Sequence, residues 1–344
     1  MPVTAQQLAT AWASLQDYHE RGVKDQALQA RPLYDDLVRG MKTFPGGREY
    51  ITMRINGRYE VVMTGYSYDD EVGYTNPGGP LQARAKWYET HSGIEVTLTE
   101  LKQAGISVVD SLNSERTVTH TEAERVALAD LLEFKMNQLI EGSTRSLAEM
   151  LWRDGSQDVK VIPGISSFIV DTPTLGTRFG IDASAETYWR NRVNLAIDAA
   201  TPANQNLVTT LQGEFRQLRR YGNPRHKFYS GSDFMEAFES ELRAKGNYTM
   251  EGWARTGTID AGMADVSFKG VALVYEPLLD DLGKSKYAYL LDLNAIRLWA
   301  MEGEWMKSHE PARPAEKYVL YRARTCTAGL LANQLNTSGV YAIQ

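Results

Sequence analysis

The sequence predicts an α+β chain, and three observations support this. A helical pattern fills the first 45 residues and returns in a long stretch from Thr121 to Asp154. Between them, from residue 48 to 98, lies an extended ribbon rich in Tyr and Gly. After Asp265 the chain reads as strands and turns to its end. Helices and strands are thus grouped in separate stretches, as in α+β proteins.

Composition narrows the possible classes of protein. With 344 residues, 43% hydrophobic and 23% charged, the chain fits a globular protein of two or more compact units. The net charge of −6 excludes a global basic field that would recruit nucleic acid. The sequence has no apolar run of about 18 residues and no basic-then-apolar start, so we expect neither membrane insertion nor export. The sequons at Asn247 and Asn336 are then chance matches and not glycosylation sites. A single cysteine, Cys326, excludes an internal disulfide and fits a reducing cytosol.

Two short helices at the start carry thin apolar stripes. Thr4 and Gln7 form a capping box for the first helix. The second helix ends at "FPGG". Its apolar stripe consists of Leu33, Leu37, Val38 and Met41. Because stripes this thin cannot form a core alone, we expect both helices to lie against something else.

The ribbon that follows is too polar to be a two-sided core. Asn56-Gly57 is the strongest short hairpin signal, and the tip reads "GYSYDDEVGYTNPGGP". Isolated ribbons are marginally stable in water. A solvated hairpin and an arm laid on a neighbouring subunit are both possible, and the second is favoured. Three clustered tyrosines in the tip are typical of an interface: Tyr66, Tyr68 and Tyr74.

A long helix and three shorter ones are predicted next. The long helix starts at a capping box formed by Thr121 and Glu124 and ends at Gly155. Its span of roughly 50 Å makes it a strut, and Gly142-Ser143 is the position at which it can bend. The shorter helices are predicted around Ala185–Ala200, after Thr201-Pro202, and from near Ser232 to Gly246. The apolar residues expected to be buried by the last two are Leu207, Leu211, Phe215, Leu218, Phe234, Phe238 and Leu242.

No catalytic, cofactor or metal site is predicted. Gly283-Lys284-Ser285 resembles the tail of a phosphate-binding loop, but Leu278 stands where the first Gly is needed and a strand follows, so we interpret it as a turn. Asp69-Asp70-Glu71 and Asp280-Asp281 do not fit a calcium loop and are interpreted as solvated turns. Cys326 is expected to pack as a small apolar group.

The histidines and the basic stretch carry little chemistry. The five histidines lack metal-ligand spacing, and His226 is expected in solvent. The others are His19, His91, His120 and His309. The stretch "EFRQLRRYGNPRHK" holds five cations on a helix with an apolar opposite side, so a solvated or subunit-facing surface is expected: Arg216, Arg219, Arg220, Arg225 and Lys227.

Three segments carry a resemblance to a known family. They are "FGIDASAETYWRNR", the helix pair from Leu207 to Gly246, and "FKGVALVYEPLLDD" with "YAYLLDLNAIRLWAMEGEW". With the order of elements, they resemble the major capsid proteins of tailed bacteriophages, which share the Hong Kong 97 fold. The first segment departs from the family pattern at Phe179, often a Gly, and at Tyr188, often a Trp.

The resemblance implies a division of the chain. Residues 1–47 are an N-terminal arm, and 48–98 an extended E-loop whose tip lies near Gly65–Pro80. A peripheral domain with a spine helix follows, then an axial domain, and "LDDLGKSKY" links two axial strands with its lysines as surface charges. The remaining ranges are 99–182 for the peripheral domain, 183–295 for the axial domain, 296–330 for peripheral strands and 331–344 for a C-terminal axial strand.

The implied function is structural rather than enzymatic. Hexamers and pentamers would form an icosahedral virion shell, assembled in the host cytoplasm, that encloses double-stranded DNA without sequence-specific binding. A portal and a decoration protein are possible partners. Only 47 residues precede the ribbon, so we expect a separate scaffolding protein or none. Lys86 and Asn333 are possible participants in a covalent cross-link, although no local motif supports either.

Reasoning from the residues alone also favours assembly. The arm and the ribbon are least able to stabilise themselves, and we expect both to find apolar partners only in other copies. Two alternatives stay open: an encapsulin-type compartment that holds a cargo protein, and a cytosolic α/β enzyme that uses His226 or Asp265 in a concave pocket.

Overall fold

The computed structural model describes residues 28–97, 99–100, 122–199, 205–244, 267–309 and 319–344. Predictions for the first 27 residues, among them the capping box of Thr4 and Gln7, lie outside this part. So do the predicted positions His19, His120, Thr121, Thr201-Pro202, Gly246 and Asp265. The α-helices treated below are α1 (Pro32–Arg39), α2 (Glu122–Trp152), α3 (Leu207–Leu218), α4 (Ser232–Ala244) and α5 (Pro277–Asp281).

Fifteen strands are present in the described residues. In chain order they are β1 (Lys42–Phe44), β2 (Tyr50–Ile55), β3 (Leu81–Lys86), β4 (Tyr88–Thr97), β5 (Thr177–Arg178), β6 (Ile181–Asp182), β7 (Arg192–Ile197), β8 (His226–Ser230), β9 (Ser267–Phe268), β10 (Val271–Tyr275), β11 (Tyr287–Asp292), β12 (Ile296–Met301), β13 (Lys307–Ser308), β14 (Val319–Ala332) and β15 (Gly339–Ile343).

Most strands belong to two larger sheets. The first has the order β1-β12-β14-β13, and β4 pairs along β14 from Tyr88 opposite Ala328 to Thr97 opposite Val319. Residues 88–97, the last described part of the ribbon predicted over 48–98, therefore lie in this sheet. The second has six strands in the order β7-β15-β11-β8-β10-β9.

Helix α2 is the strut that the sequence predicts. Its 31 residues span about 46 Å. Leu139, Leu147 and Leu151 are buried as expected, although Ile140 is 45% exposed. The helix is followed by Gly155 at φ +84°, which a side chain would strain. Gly164 passes so close that an added Cβ would lie 2.2 Å from the Leu151 carbonyl oxygen, so the chain there requires glycine.

Trp152, the last residue of α2, joins the helix to the six-stranded sheet. Its ring lies 6.0 Å from the ring of Tyr229 on β8, nearly perpendicular to it, and 5.2 Å from that of Tyr289 on β11. Trp152 also belongs to the same buried cluster as Leu298 of β12 and Leu330 of β14, in the first sheet. The end of the strut therefore lies where the two sheets share a core.

Three predictions about secondary structure are wrong. The helix around Ala185–Ala200 is instead a short 3-10 turn followed by β7, which pairs in parallel with β15. The backbone pairing in the sheet overrides the helical pattern there. Asn56-Gly57 makes no hairpin, because β2 pairs with β3 across the whole ribbon, from Tyr50 opposite Lys86 to Ile55 opposite Leu81. The second N-terminal helix ends at Arg39, and strand β1 precedes "PGG".

Helices α3 and α4 form as predicted and pack in one buried cluster with the six-stranded sheet. The four residues predicted to be buried on α3 are buried, as are Phe234 and Phe238 of α4, whereas Leu242 is only half-buried. The first turn of α3 also has a buried acceptor, since both carboxylate oxygens of Glu241 on α4 accept hydrogen bonds, from Leu207 N–H at 3.0 Å and from Val208 N–H at 3.2 Å. A buried carboxylate thus satisfies two amides that the helix leaves free.

We predict that Glu241→Ala lowers the free energy of unfolding of the unassembled subunit by about 2 kcal/mol, because it leaves two buried N–H groups without acceptors. Urea unfolding followed by circular dichroism measures this. Glu236→Ala on the exposed face of the same helix is the control and should change stability by less than about 0.5 kcal/mol. Equal effects of the two substitutions would contradict the capping role of Glu241.

Candidate assembly surfaces

The tip of the ribbon, defined as residues 59–80, is exposed along its whole length. It joins β2 to β3 and contains large apolar and aromatic side chains that contact little of their own subunit. Their exposed fractions are 92% for Tyr59, 68% for Val61, 75% for Val62, 99% for Met63, 69% for Tyr66, 104% for Tyr68, 54% for Val72 and 95% for Tyr74. A surface this apolar and this exposed is typical of a site of protein association.

The root of the ribbon, in contrast, is fixed to the body. Ile51 and Ala85 pack in a buried cluster with Phe44 of β1 and Leu331 of β14. Ile55 and Ala83 belong to the main core. The exposed tip therefore projects from an anchored base, and its starting direction is set by the subunit itself.

Two polar and steric contacts complete the root. Arg58 forms an ion pair with Glu186 at 2.9 Å. Gly57 lies directly against the ring of Tyr188, where an added Cβ would come within 2.2 Å of ring atoms. The glycine of "NG" thus allows a close approach to an aromatic ring and does not form a turn.

Phe179 supports the root through its backbone. Phe179 and Gly180 both have positive φ, +52° and +81°, and form the two-residue turn between β5 and β6. A left-handed conformation costs a residue with a side chain about 1 kcal/mol. The ring of Phe179 packs 5.1 Å from that of Phe168, and its carbonyl accepts a hydrogen bond of 2.8 Å from Arg84 N–H in β3. These contacts offset the strain of the turn.

The arm does not behave as predicted. From residue 28 to 44 it is folded against its own subunit: Leu33 and Leu37 are 1% and 2% exposed, and β1 pairs in parallel with β12. Asp36 accepts hydrogen bonds from Lys227 Nζ and from the Tyr229 hydroxyl. Burial of each leucine stabilises this docking by about 2 kcal/mol. The expectation that the arm finds apolar partners only in other copies is wrong for these residues.

A buried acid ties the arm to the body. Glu276 is 0% exposed, and its Oε2 accepts a hydrogen bond of 3.0 Å from Leu33 N–H in the first turn of α1. Burial raises the pKa of the Glu276 carboxyl to about 7; the hydrogen bond from Leu33 opposes this rise, and the charge of Asp35 adds to it. The arm is thus docked on a group that titrates near neutral pH.

The three described histidines and Cys326 form no common site. His226 is half-buried and not in solvent as predicted: its Nε2 lies 2.9 Å from the Thr337 carbonyl oxygen, and burial lowers the pKa of its ring. His309 Nε2 lies 2.7 Å from Thr325 Oγ1, and His91 is exposed on β4. Cys326 is buried in β14 as predicted, and burial raises the pKa of its thiol.

The turn predicted at Gly283 is in place, whereas the prediction of a solvated turn at Asp280-Asp281 is wrong, because both residues lie in α5 and Asp280 is half-buried. Gly283 adopts φ +71° between α5 and β11, as a turn requires. Lys284, expected as a surface charge, is half-buried and donates hydrogen bonds of 3.0 Å to Ser166 Oγ and to the Tyr289 hydroxyl. Asp280 accepts from Ser232 N–H at the start of α4, and Asp69-Asp70-Glu71 lies in the exposed tip.

An open cleft of about 410 Å³ lies between the end of α2 and the turn after α5. Arg153, Asp154, Asp171 and Lys284 are among its lining residues, and His226 is not. Across the described ranges no group of three or more His, Cys, Asp or Glu side chains is placed to hold a metal ion. Nor does any described helix have the length and apolarity to cross a membrane.

Comparison with solved structures identifies the architecture. The asymmetric unit of the cyanophage A-1(L) capsid matches with a TM-score of 0.66 and 13% sequence identity, over 94% of this chain and 96% of that chain. The capsid of phage XM1, a member of the Myoviridae, matches with a TM-score of 0.56 and 10% identity, over 100% and 99% of the two chains. The chain has the Hong Kong 97-type capsid fold.

The capsid of an empty GTA particle also matches, with a TM-score of 0.59 and 10% identity, over 99% and 97% of the two chains. No family model matches the sequence, and no curated protein matches it. The similarity to the capsid fold thus lies in the three-dimensional arrangement. In the sequence it is limited to short stretches such as "FGIDASAETYWRNR".

Sequence reasoning did not predict the burial of Glu241 and Glu276. Glu241 and Glu276 stand in stretches with ordinary helix and strand patterns, "FESELRAKG" and "VYEPLLDD", in which an acid reads as surface. Pro277 is the one local signal for the position of Glu276. A proline is typical of the first residue of a helix, and this places Glu276 at the N-cap of α5.

We predict that Glu276 makes the subunit less stable as pH rises from about 4.5 to 7. The folded-state pKa of Glu276, about 7, exceeds its ordinary value of 4.5, so the native state retains a proton that the unfolded state releases. Glu276→Gln should remove this loss, which amounts to roughly 3 kcal/mol at most. Urea unfolding at pH 5 and pH 8 measures it, with exposed Glu95→Gln as control. An unchanged pH dependence in Glu276→Gln would contradict this role.

Proposed function

We propose that this chain is the major capsid protein of a tailed bacteriophage. Copies assemble into hexamers and pentamers of an icosahedral shell around double-stranded DNA. The observation that carries the proposal is the pairing of a capsid fold over nearly the whole chain with an anchored ribbon whose apolar tip is exposed. A shell gives that tip a neighbouring surface at every position in the lattice.

The proposed domains follow the two sheets. The peripheral domain comprises α2 and the sheet of β1, β4, β12, β13 and β14, and the axial domain comprises the six-stranded sheet with α3 and α4. The E-loop is the β2–β3 ribbon with its tip. Strand β4 is assigned to the peripheral domain because it pairs with β14 along its entire length. The arm from residue 28 to 44 belongs to the body of its own subunit.

Electron microscopy of the purified protein tests the proposal. We expect capsomers and thin-walled shells; a monomer or small oligomer that turns over a substrate in the cleft near Lys284 would favour an enzyme. The contents of the particles discriminate between the two kinds of shell. Particles that package DNA through a portal support the phage reading, and particles filled with one cargo protein support an encapsulin-type compartment.

We also propose a separate scaffolding protein, with a portal and a decoration protein as further partners. Expression of the coat protein alone should then give open or irregular shells. Uniform closed shells formed without any helper protein would contradict a required scaffold. They would leave the shell function itself intact.

We predict that the triple substitution Met63→Ser, Tyr68→Ser, Tyr74→Ser abolishes shell formation without unfolding the subunit. These side chains are 95% or more exposed, so the thermal midpoint should move by less than about 2 °C. Sedimentation velocity measures assembly. The control is Val159→Ser with Leu175→Ser, which removes exposed apolar side chains outside the ribbon. Normal shells from the triple variant would exclude the tip as an assembly surface.

A further inference from the structure

Four arginines without acidic partners cluster at the end of α3. This arginine cluster consists of Arg216, Arg219, Arg220 and Arg225, all exposed. In the part of the chain that the structure describes, no carboxylate lies within ion-pair distance of any of their guanidinium groups. The exposed ring of Tyr221 lies 5.5 Å from the guanidinium of Arg220.

The subunit's own structure explains only half of this cluster. Arg216 lies in the last turn of α3 and Arg219 caps it, where positive charge is favoured by the helix dipole. Arg220 and Arg225 lie beyond the helix and gain nothing from it.

Nearby acids are already engaged elsewhere. Glu214 pairs with Arg192, and Asp36 pairs with Lys227. Asp292 is buried and accepts hydrogen bonds from backbone N–H groups, among them that of Arg225.

Arg219 stacks on the ring of Phe215 at 4.3 Å, and Arg216 Nε donates a hydrogen bond of 3.3 Å to the Gln212 carbonyl. All four guanidinium groups stay exposed and have no carboxylate partner among the described residues, so an acidic partner from outside the subunit can reach them.

The ribbon tip has the complementary chemistry. From residue 59 to 80 it contains no Lys, Arg or His, but four carboxylates and four exposed tyrosines. Its half-length of about 11 residues lets it reach up to roughly 36 Å from its root. The carboxylates are Glu60, Asp69, Asp70 and Glu71.

We propose that the ribbon tip of one copy docks on the arginine cluster of a neighbouring copy. Carboxylates accept charge-assisted hydrogen bonds from guanidinium groups, and tyrosine rings stack on their planes. Each copy then gives one tip and receives another, which is the head-to-tail contact that closes a ring. This inference rests on the proposed shell function and names the surface that receives the ribbon.

A nucleic acid is the competing occupant, since arginine also binds phosphate. The ribbon fits better for two reasons. It offers both carboxylates and aromatic rings to a surface made of four arginines and Tyr221. The tip also has exposed apolar side chains of its own. Docking on a neighbouring copy would cover them, whereas binding of DNA to the arginine cluster would leave them in water.

Charge reversal tests the contact. Arg216→Glu with Arg220→Glu should raise the protein concentration needed for assembly about tenfold, since several partly exposed ion pairs are inverted at each contact. Adding Asp69→Arg and Glu71→Arg to the same chain should restore assembly to within about threefold of wild type. Asp70 is kept, because its carboxylate accepts Ser67 N–H within the tip. Arg145→Glu with Lys160→Glu changes the charge equally elsewhere and should have little effect.

A disulfide locates the contact directly. Glu71→Cys with Arg220→Cys should give dimers and longer ladders on a non-reducing gel of assembled protein, and Glu71→Cys with Arg145→Cys should not. Wild-type protein that forms no shell would overturn the proposed function. Shells that persist in the Arg216→Glu, Arg220→Glu variant, without cross-links at Arg220→Cys, would overturn only this inference. This inference would also be overturned if the Arg216→Glu, Arg220→Glu variant assembled normally but no longer retarded double-stranded DNA on a native gel. That result would show that the arginine cluster binds nucleic acid.

Discussion

The packing of Trp152 at the end of the long helix is the contact on which the rest of the subunit depends. The indole meets Tyr229 and Tyr289 of the six-stranded sheet, while the last turns of α2 share a core with β12 and β14. One aromatic side chain thereby fixes the strut relative to both sheets. Because Gly164 passes against the carbonyl of Leu151, the chain leaving the helix has no room to shift either. A rigid body of this kind can hold a ribbon in a defined direction.

The sequence predicted a subunit in which both the N-terminal arm and the ribbon lack partners of their own, and the structure differs from this for the arm. The described part of the N-terminal arm is buried on its own subunit, so it stabilises the body before any assembly. Among the described residues, the ribbon tip carries the largest group of exposed apolar side chains, and its root at Ile51, Ala85 and Phe179 keeps it oriented. A single oriented element simplifies assembly, because one docking event per neighbour suffices to order the exposed residues.

The sequence predicted the elements whose pattern is local. Helix α2, the buried faces of α3 and α4, and the exposed Tyr-rich tip all follow from spacing or composition. The failures share a physical cause: they were decided by partners distant in the chain. Strand β7 exists because β15 lies beside it, and Asn56-Gly57 is straight because β3 pairs with β2. Glu276 is buried because α1 returns to cover it. No local pattern contains these partners.

The contact between Gly57 and Tyr188 carries a consequence for how such coats diverge. The ring of Tyr188 occupies the volume that any side chain at position 57 would need, so a side chain at one position excludes a large side chain at the other. In related coats a bulkier residue at the first position should be accompanied by a smaller one at the second. Lineages in which the aromatic ring is lost would be free to vary the glycine, and the two positions should then change together across an otherwise diverse family.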